Sequence, residues 1–168
     1  NQGNYVVPSG KSFIINSYVP NNFDDESGKA LFVNNLKAYN FSDDGINIGL
    51  VCSEGDILSS SFNNGEFGSI HGILISKTVN SVHHDFVTGD YIVPSGKSLI
   101  INNFESNGVS NSKPLFINNK IAFIDYGGQI SISIACSEGD IVSSPTDWYG
   151  QEGTMHGILV DNSNYTYS

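Results

Sequence analysis

Two acidic clusters, Asp24-Asp25-Glu26 and Asp43-Asp44, supply the hard oxygen ligands that a calcium ion takes from loops. Neither has the spacing of an EF-hand or of a repeat-type calcium loop, so the expectation of bound calcium rests on residue type. A second group, Trp148-Tyr149 with Asp147 and Gln151 beside it, offers aromatic planes for stacking on a sugar ring and polar groups for its hydroxyls. The competing reading makes Trp148 an aromatic cap on a sheet edge or a module interface. His83-His84-Asp85 has metal-ligand residue types. Adjacent side chains on an extended segment point to opposite faces, so the two imidazoles do not reach one ion, and a solvated connection is expected there.

Catalytic arrangements are weaker. No Ser-His-Asp set with a nucleophile elbow and no His-Glu-x-x-His motif is present. Pro8-Ser9-Gly10-Lys11-Ser12 ends like a phosphate-binding loop but lacks the earlier glycine, and a strand rather than a helix follows it. A turn with an exposed lysine is the expectation. Any two carboxylates can be paired as glycosidase acid and base, but nothing marks a cleft for them. A hydrolase is therefore the lowest-ranked function. Cys52 and Cys136 fall on apolar strand faces and read as small buried thiols, with a disulfide as the alternative if both lie near a shared axis.

These groups sit on a chain that is written twice. Tyr5-Val6-Val7-Pro8-Ser9-Gly10-Lys11-Ser12 returns as Tyr91-Ile92-Val93-Pro94-Ser95-Gly96-Lys97-Ser98. Leu31-Phe32-Val33-Asn34-Asn35 returns as Leu115-Phe116-Ile117-Asn118-Asn119, and Cys52-Ser53-Glu54-Gly55-Asp56 as Cys136-Ser137-Glu138-Gly139-Asp140. His71-Gly72-Ile73-Leu74 returns as His156-Gly157-Ile158-Leu159. The duplication divides the chain into a first module over 4–76, a connection over 77–89, a second module over 90–161 and an extension over 162–168. Residues kept in both copies belong to the module. The calcium and sugar candidates are found in one copy only.

Period-2 alternation dominates, as in Ile46, Ile48, Leu50 and Cys52 and again in Ile130, Ile132, Ile134 and Cys136. Pro-Ser-Gly-Lys and Ser-Glu-Gly-Asp supply turns between strands. Short strands at regular spacing predict an all-β chain of two antiparallel, jelly-roll-like β-sandwich modules. Modules this small bury little surface alone, so the two are expected to dock.

Net charge excludes one large class of partner. The chain of 168 residues carries a formal charge of −10, and its seven basic residues are all lysine. A phosphate backbone requires basic clusters, and bidentate recognition favours arginine, so nucleic acid is not a partner. No apolar run is long enough to span a membrane as a helix. The start at Asn1 without a hydrophobic leader suggests a processed, secreted or cell-surface protein.

The aromatic-x-Val-Pro-Ser-Gly-Lys-Ser stretch, the Glu-Gly-Asp turn and the final Gly-Ile-Leu resemble small β-sandwich modules of bacterial secreted, surface and phage-tail proteins. The resemblance implies adhesive, sugar-binding or assembly roles. The expected function is a non-catalytic extracellular structural or adhesive protein that self-associates through its terminal strand extensions. The alternative is a lectin-like module binding a surface glycan through the Trp148-Tyr149 loop.

Overall fold

The computed structural model describes residues 4–19, 30–40, 47–60, 69–77, 79–106, 113–125, 132–144 and 153–162. The first half holds β1 (Tyr5–Val6), β2 (Ser12–Val19), β3 (Ala30–Val33), β4 (Leu36–Asn40), β5 (Asn47–Cys52), β6 (Ile57–Ser60) and β7 (Ser69–Ile75). Next come β8 (Asn80–Asp85) and a 3₁₀ turn at Phe86–Thr88. The second half holds β9 (Tyr91–Ile92), β10 (Lys97–Ser106), β11 (Lys113–Ile117), β12 (Lys120–Asp125), β13 (Ile134–Cys136), β14 (Ile141–Ser143) and β15 (Gly153–Asp161). Among the described residues no helix is long and apolar enough to cross a membrane.

The strands form four antiparallel sheets, ordered β1-β6-β3-β4 and β5-β2-β7 in the first half, and β9-β14-β11-β12 and β13-β10-β15-β8 after it. Apart from β8, the order is the same in both. Local chemistry explains the match. Asn34 and Asn35 have φ of 52° and 65°, and Asn118 and Asn119 have 50° and 63°. Two successive left-handed residues make the tight hairpin turn whose twist suits antiparallel strands, and asparagine tolerates that backbone better than most side chains. The Asn34 side chain then receives the Ile57 N–H at 2.9 Å and donates to Asp56 at 2.8 Å, and Asn118 repeats both bonds with Ile141 and Asp140.

The recurrent His-Gly has a steric origin. A Cβ on Gly72 would lie 2.3 Å from the Ile14 carbonyl oxygen, and one on Gly157 would lie 2.5 Å from that of Ile100. Both glycines face β-bulges, between Ile15 and Ser17 in β2 and between Ile101 and Asn103 in β10. There the neighbouring backbone comes too close for any side chain.

Each half encloses its own apolar core, giving a β-sandwich-like arrangement. Ile15 and Leu50 meet Leu31 and Leu58 from the facing sheet in the first, and Leu99 and Ile101 meet Leu115 and Val142 in the second. Cys52 and Cys136 are free and buried within these cores. Within the segment 77–89, expected as a solvated connection, residues 80–88 are instead structured. Asn80–Asp85 pairs antiparallel with β15, and Phe86 is buried in the second core. Hydrogen bonding to an otherwise open sheet edge outweighs the polar composition of that segment.

Candidate functional site

The densest polar arrangement among the described residues lies where the halves meet. Strands β4 and β5 of the first half pack against β10 and β15. Turn chemistry places Asp56: in Ser53-Glu54-Gly55-Asp56 the Asp56 N–H donates to the Ser53 carbonyl at 3.0 Å, with Gly55 at φ 83°. Strand β8 brings Ser81 and His83 to the carboxylate. Ser81 Oγ donates at 2.7 Å and the Ser53 N–H at 2.6 Å, both to Oδ2, and His83 Nε2 lies 3.0 Å from the same oxygen. His83 Nδ1 is 2.8 Å from His156 Nδ1, its cross-strand partner on β15. His156 Nε2 completes the chain at 3.0 Å from the Lys37 carbonyl oxygen, which Thr154 Oγ1 also reaches. Lys37 Nζ in turn pairs with Glu105 at 3.2 Å.

Hydrogen-bond chemistry assigns the protons. A carbonyl oxygen only accepts, so His156 donates from Nε2, and a neutral His156 must accept at Nδ1. His83 Nδ1 then donates to His156, and its Nε2 faces Asp56 Oδ2. Burial and the neighbouring His83 push His156 down to about 3, against the opposing pull of the Lys37 carbonyl and Asp56. Burial raises the Asp56 carboxyl, but hydrogen bonds from His83, Ser81, Asn34 and the Ser53 N–H outweigh it and hold the group well below the usual carboxylate range. A carboxylate, an imidazole pair and a carbonyl thus join one half to the other.

The ligand atoms of Cys52, Asp56 and His83 all lie within 4.8 Å of one another, a donor set of zinc type. Two observations argue against that use. Cys136 and Asp140 repeat the Cys52 and Asp56 positions without an imidazole, so the thiol–carboxylate proximity belongs to the module. Asp56 Oδ2 already receives three hydrogen bonds, and burial followed by the Asp56 charge pushes the Cys52 thiol strongly up, away from the thiolate a metal requires. The cluster reads as a hydrogen-bonded joint.

The phosphate-loop look-alike is a turn. Lys11 N–H donates to the Pro8 carbonyl at 3.2 Å, and Gly10 has φ 70°. Donors that could face a phosphate hold Glu54 instead: Ser9 Oγ at 2.6 Å and the Gly10 N–H at 2.7 Å, a clamp repeated by Ser95, Gly96 and Glu138. Those bonds lower both glutamates below their ordinary range. Among the described residues there is a shallow depression lined by Asp90, Phe116, Asn119, Ser143 and Ser144, which gathers none of the sequence-derived candidates.

Asp24, Asp25, Glu26, Asp43 and Asp44, and the sugar candidates Asp147, Trp148, Tyr149 and Gln151, lie outside the described residues. His83, expected to be solvated, has a side chain only 6% exposed. The two recurrent histidines differ: His156 is fully buried, whereas His71 is exposed on β7. Period-2 alternation could not reveal β8, because Val82 is the single aliphatic residue within it. No protein family, curated protein or solved structure matches the chain.

Proposed function

We propose that the chain is a non-catalytic structural subunit of an extracellular or cell-surface assembly, built from two duplicated jelly-roll-like β-sandwich modules that self-associate. The duplication is supported by shared strand order, shared Asn-Asn turns and shared bulges in β2 and β10. The structural role is supported by how the conspicuous polar residues are engaged. Glu54 and Glu138 clamp turns, while Asp56, His83, His156, Lys37 and Glu105 bind one half to the other.

The carrying observation is that the contact joins unlike faces, the β4/β5 side of the first half and the β10/β15 side of the second. Heterologous contacts between like modules leave a complementary surface at each end and propagate unless rotation closes them. Light scattering coupled to size exclusion, with electron microscopy of the same fractions, tests the reading. Concentration-dependent growth into rings or filaments is expected, and a chain that stays monomeric up to about millimolar concentration, where even weak association registers, overturns it.

A further inference from the structure

The positions that make the contact inside the chain recur on the other half, where they are exposed. Residues on the β4 side of the first half correspond to those of β12: Lys37 to Ile121 and Ala38 to Ala122. Residues on the receiving side correspond to those of β2 and β7: Glu105 to Val19, Thr154 to Ser69 and His156 to His71. Inside the chain these positions are covered, Ala38 and His156 completely. On the other half the corresponding residues are open: Ile121 is 60% exposed and Val19 37%, with Ala122, Ser69 and His71 exposed beside them.

We infer that one chain joins the next by repeating its internal contact, its β12 side seated on the β2/β7 side of its neighbour. This rests on the structural-subunit reading and specifies its surfaces. Pair chemistry supports the fit. The internal contact sets Lys37 against Glu105, opposite charges 3.2 Å apart. The equivalent positions are Ile121 and Val19, so the pair changes together from ionic to apolar, and either combination is complementary where a mixed one would bury an unpaired charge. Ser69 and His71 stand where Thr154 and His156 donate to the Lys37 carbonyl, and the Ile121 carbonyl of the neighbouring chain is the matching acceptor.

A charge-pair rescue tests the inference. Ile121→Lys and Val19→Glu each place an unpaired charge in the contact, and each is expected to weaken assembly by about 100-fold or more, measured by sedimentation velocity. Combining them recreates the Lys37–Glu105 pair and is expected to recover most of the affinity. Both positions are exposed, so circular dichroism should show folded chains throughout. Single variants that assemble like the parent chain overturn this contact while leaving a structural subunit built through other surfaces. A double variant as weak as the single ones overturns the pairing of these two positions. A parent chain that is itself monomeric overturns the structural-subunit reading.

Discussion

His83 Nδ1 lies 2.8 Å from His156 Nδ1, and the two imidazoles connect Asp56 of the first half to the Lys37 carbonyl through the second. Two like rings can share a bond only if one donates and the other accepts. That requirement makes the joint sensitive to protons.

Acid should loosen it. The unfolded chain protonates histidine near ~6.5 and aspartate near ~3.9. In the folded chain His156 is held down to about 3, and Asp56 is also lowered. At His156 and Asp56 the unfolded state therefore binds more protons as the pH drops, so the contribution of these two groups to stability is intact above about pH 6.5 and is lost progressively toward acid. Melting temperature is expected to fall steadily from neutral pH to about 4, with the upper part of the slope removed in His156→Gln. A flat wild-type curve over that range would contradict the buried, neutral His156.

The two repeated aspartates should differ in weight. Asp56 and Asp140 make the same bonds to asparagine and serine, but only Asp56 also meets Ser81 and His83. Asp56→Asn is expected to cost about 3 kcal/mol, the scale for leaving buried hydrogen-bonding groups without their charged partner. Asp140→Asn should cost about 1 kcal/mol, the scale of a partly exposed hydrogen bond. Urea unfolding of both variants checks the order, and equal losses would show that the joint adds nothing to the turn.

Gly157→Ala should destabilise by about 2 kcal/mol or more, because its Cβ meets a backbone oxygen that the bulged strand cannot withdraw. Gly72→Ala should behave alike. Chemical denaturation that finds either variant as stable as the parent would remove the steric account of the repeated His-Gly.

Phe104→Tyr should be tolerated or stabilising. Tyr18 OH and Ser60 Oγ are 2.7 Å apart in the first half, while Ser144, in the position of Ser60, has a buried hydroxyl with no hydrogen-bond partner among the described residues, and Phe104 stands in the position of Tyr18. Restoring the hydroxyl is expected to change stability by about 0 to +1 kcal/mol. A loss above about 2 kcal/mol, the range of overpacking, would show that the two sites are not shaped alike.

Much of the fold is legible along the chain because its causes are local. Alternation identifies β5 and β13, and Pro-Ser-Gly-Lys and Ser-Glu-Gly-Asp identify the turns, since each depends on residues within a few positions of one another. The repeat likewise exposes the module residues. Strand β8 was hidden for the opposite reason: Asn80-Ser81-Val82-His83 has no periodic apolar face, and it is a strand because β15 offers it an unpaired backbone edge.

The joint was hidden too. Asp56 reads as a turn former, His83 as solvated chain and His156 as part of a strand motif repeated in both halves, and each reading is reasonable within its own segment. Their meeting depends on how two modules pack, with His83 and His156 separated by 73 residues. Among the described residues the identical Asp140 and the recurrent His71 make no such joint, because burial and hydrogen-bond partners are supplied by the neighbouring module, and local sequence carries no record of which neighbour that is.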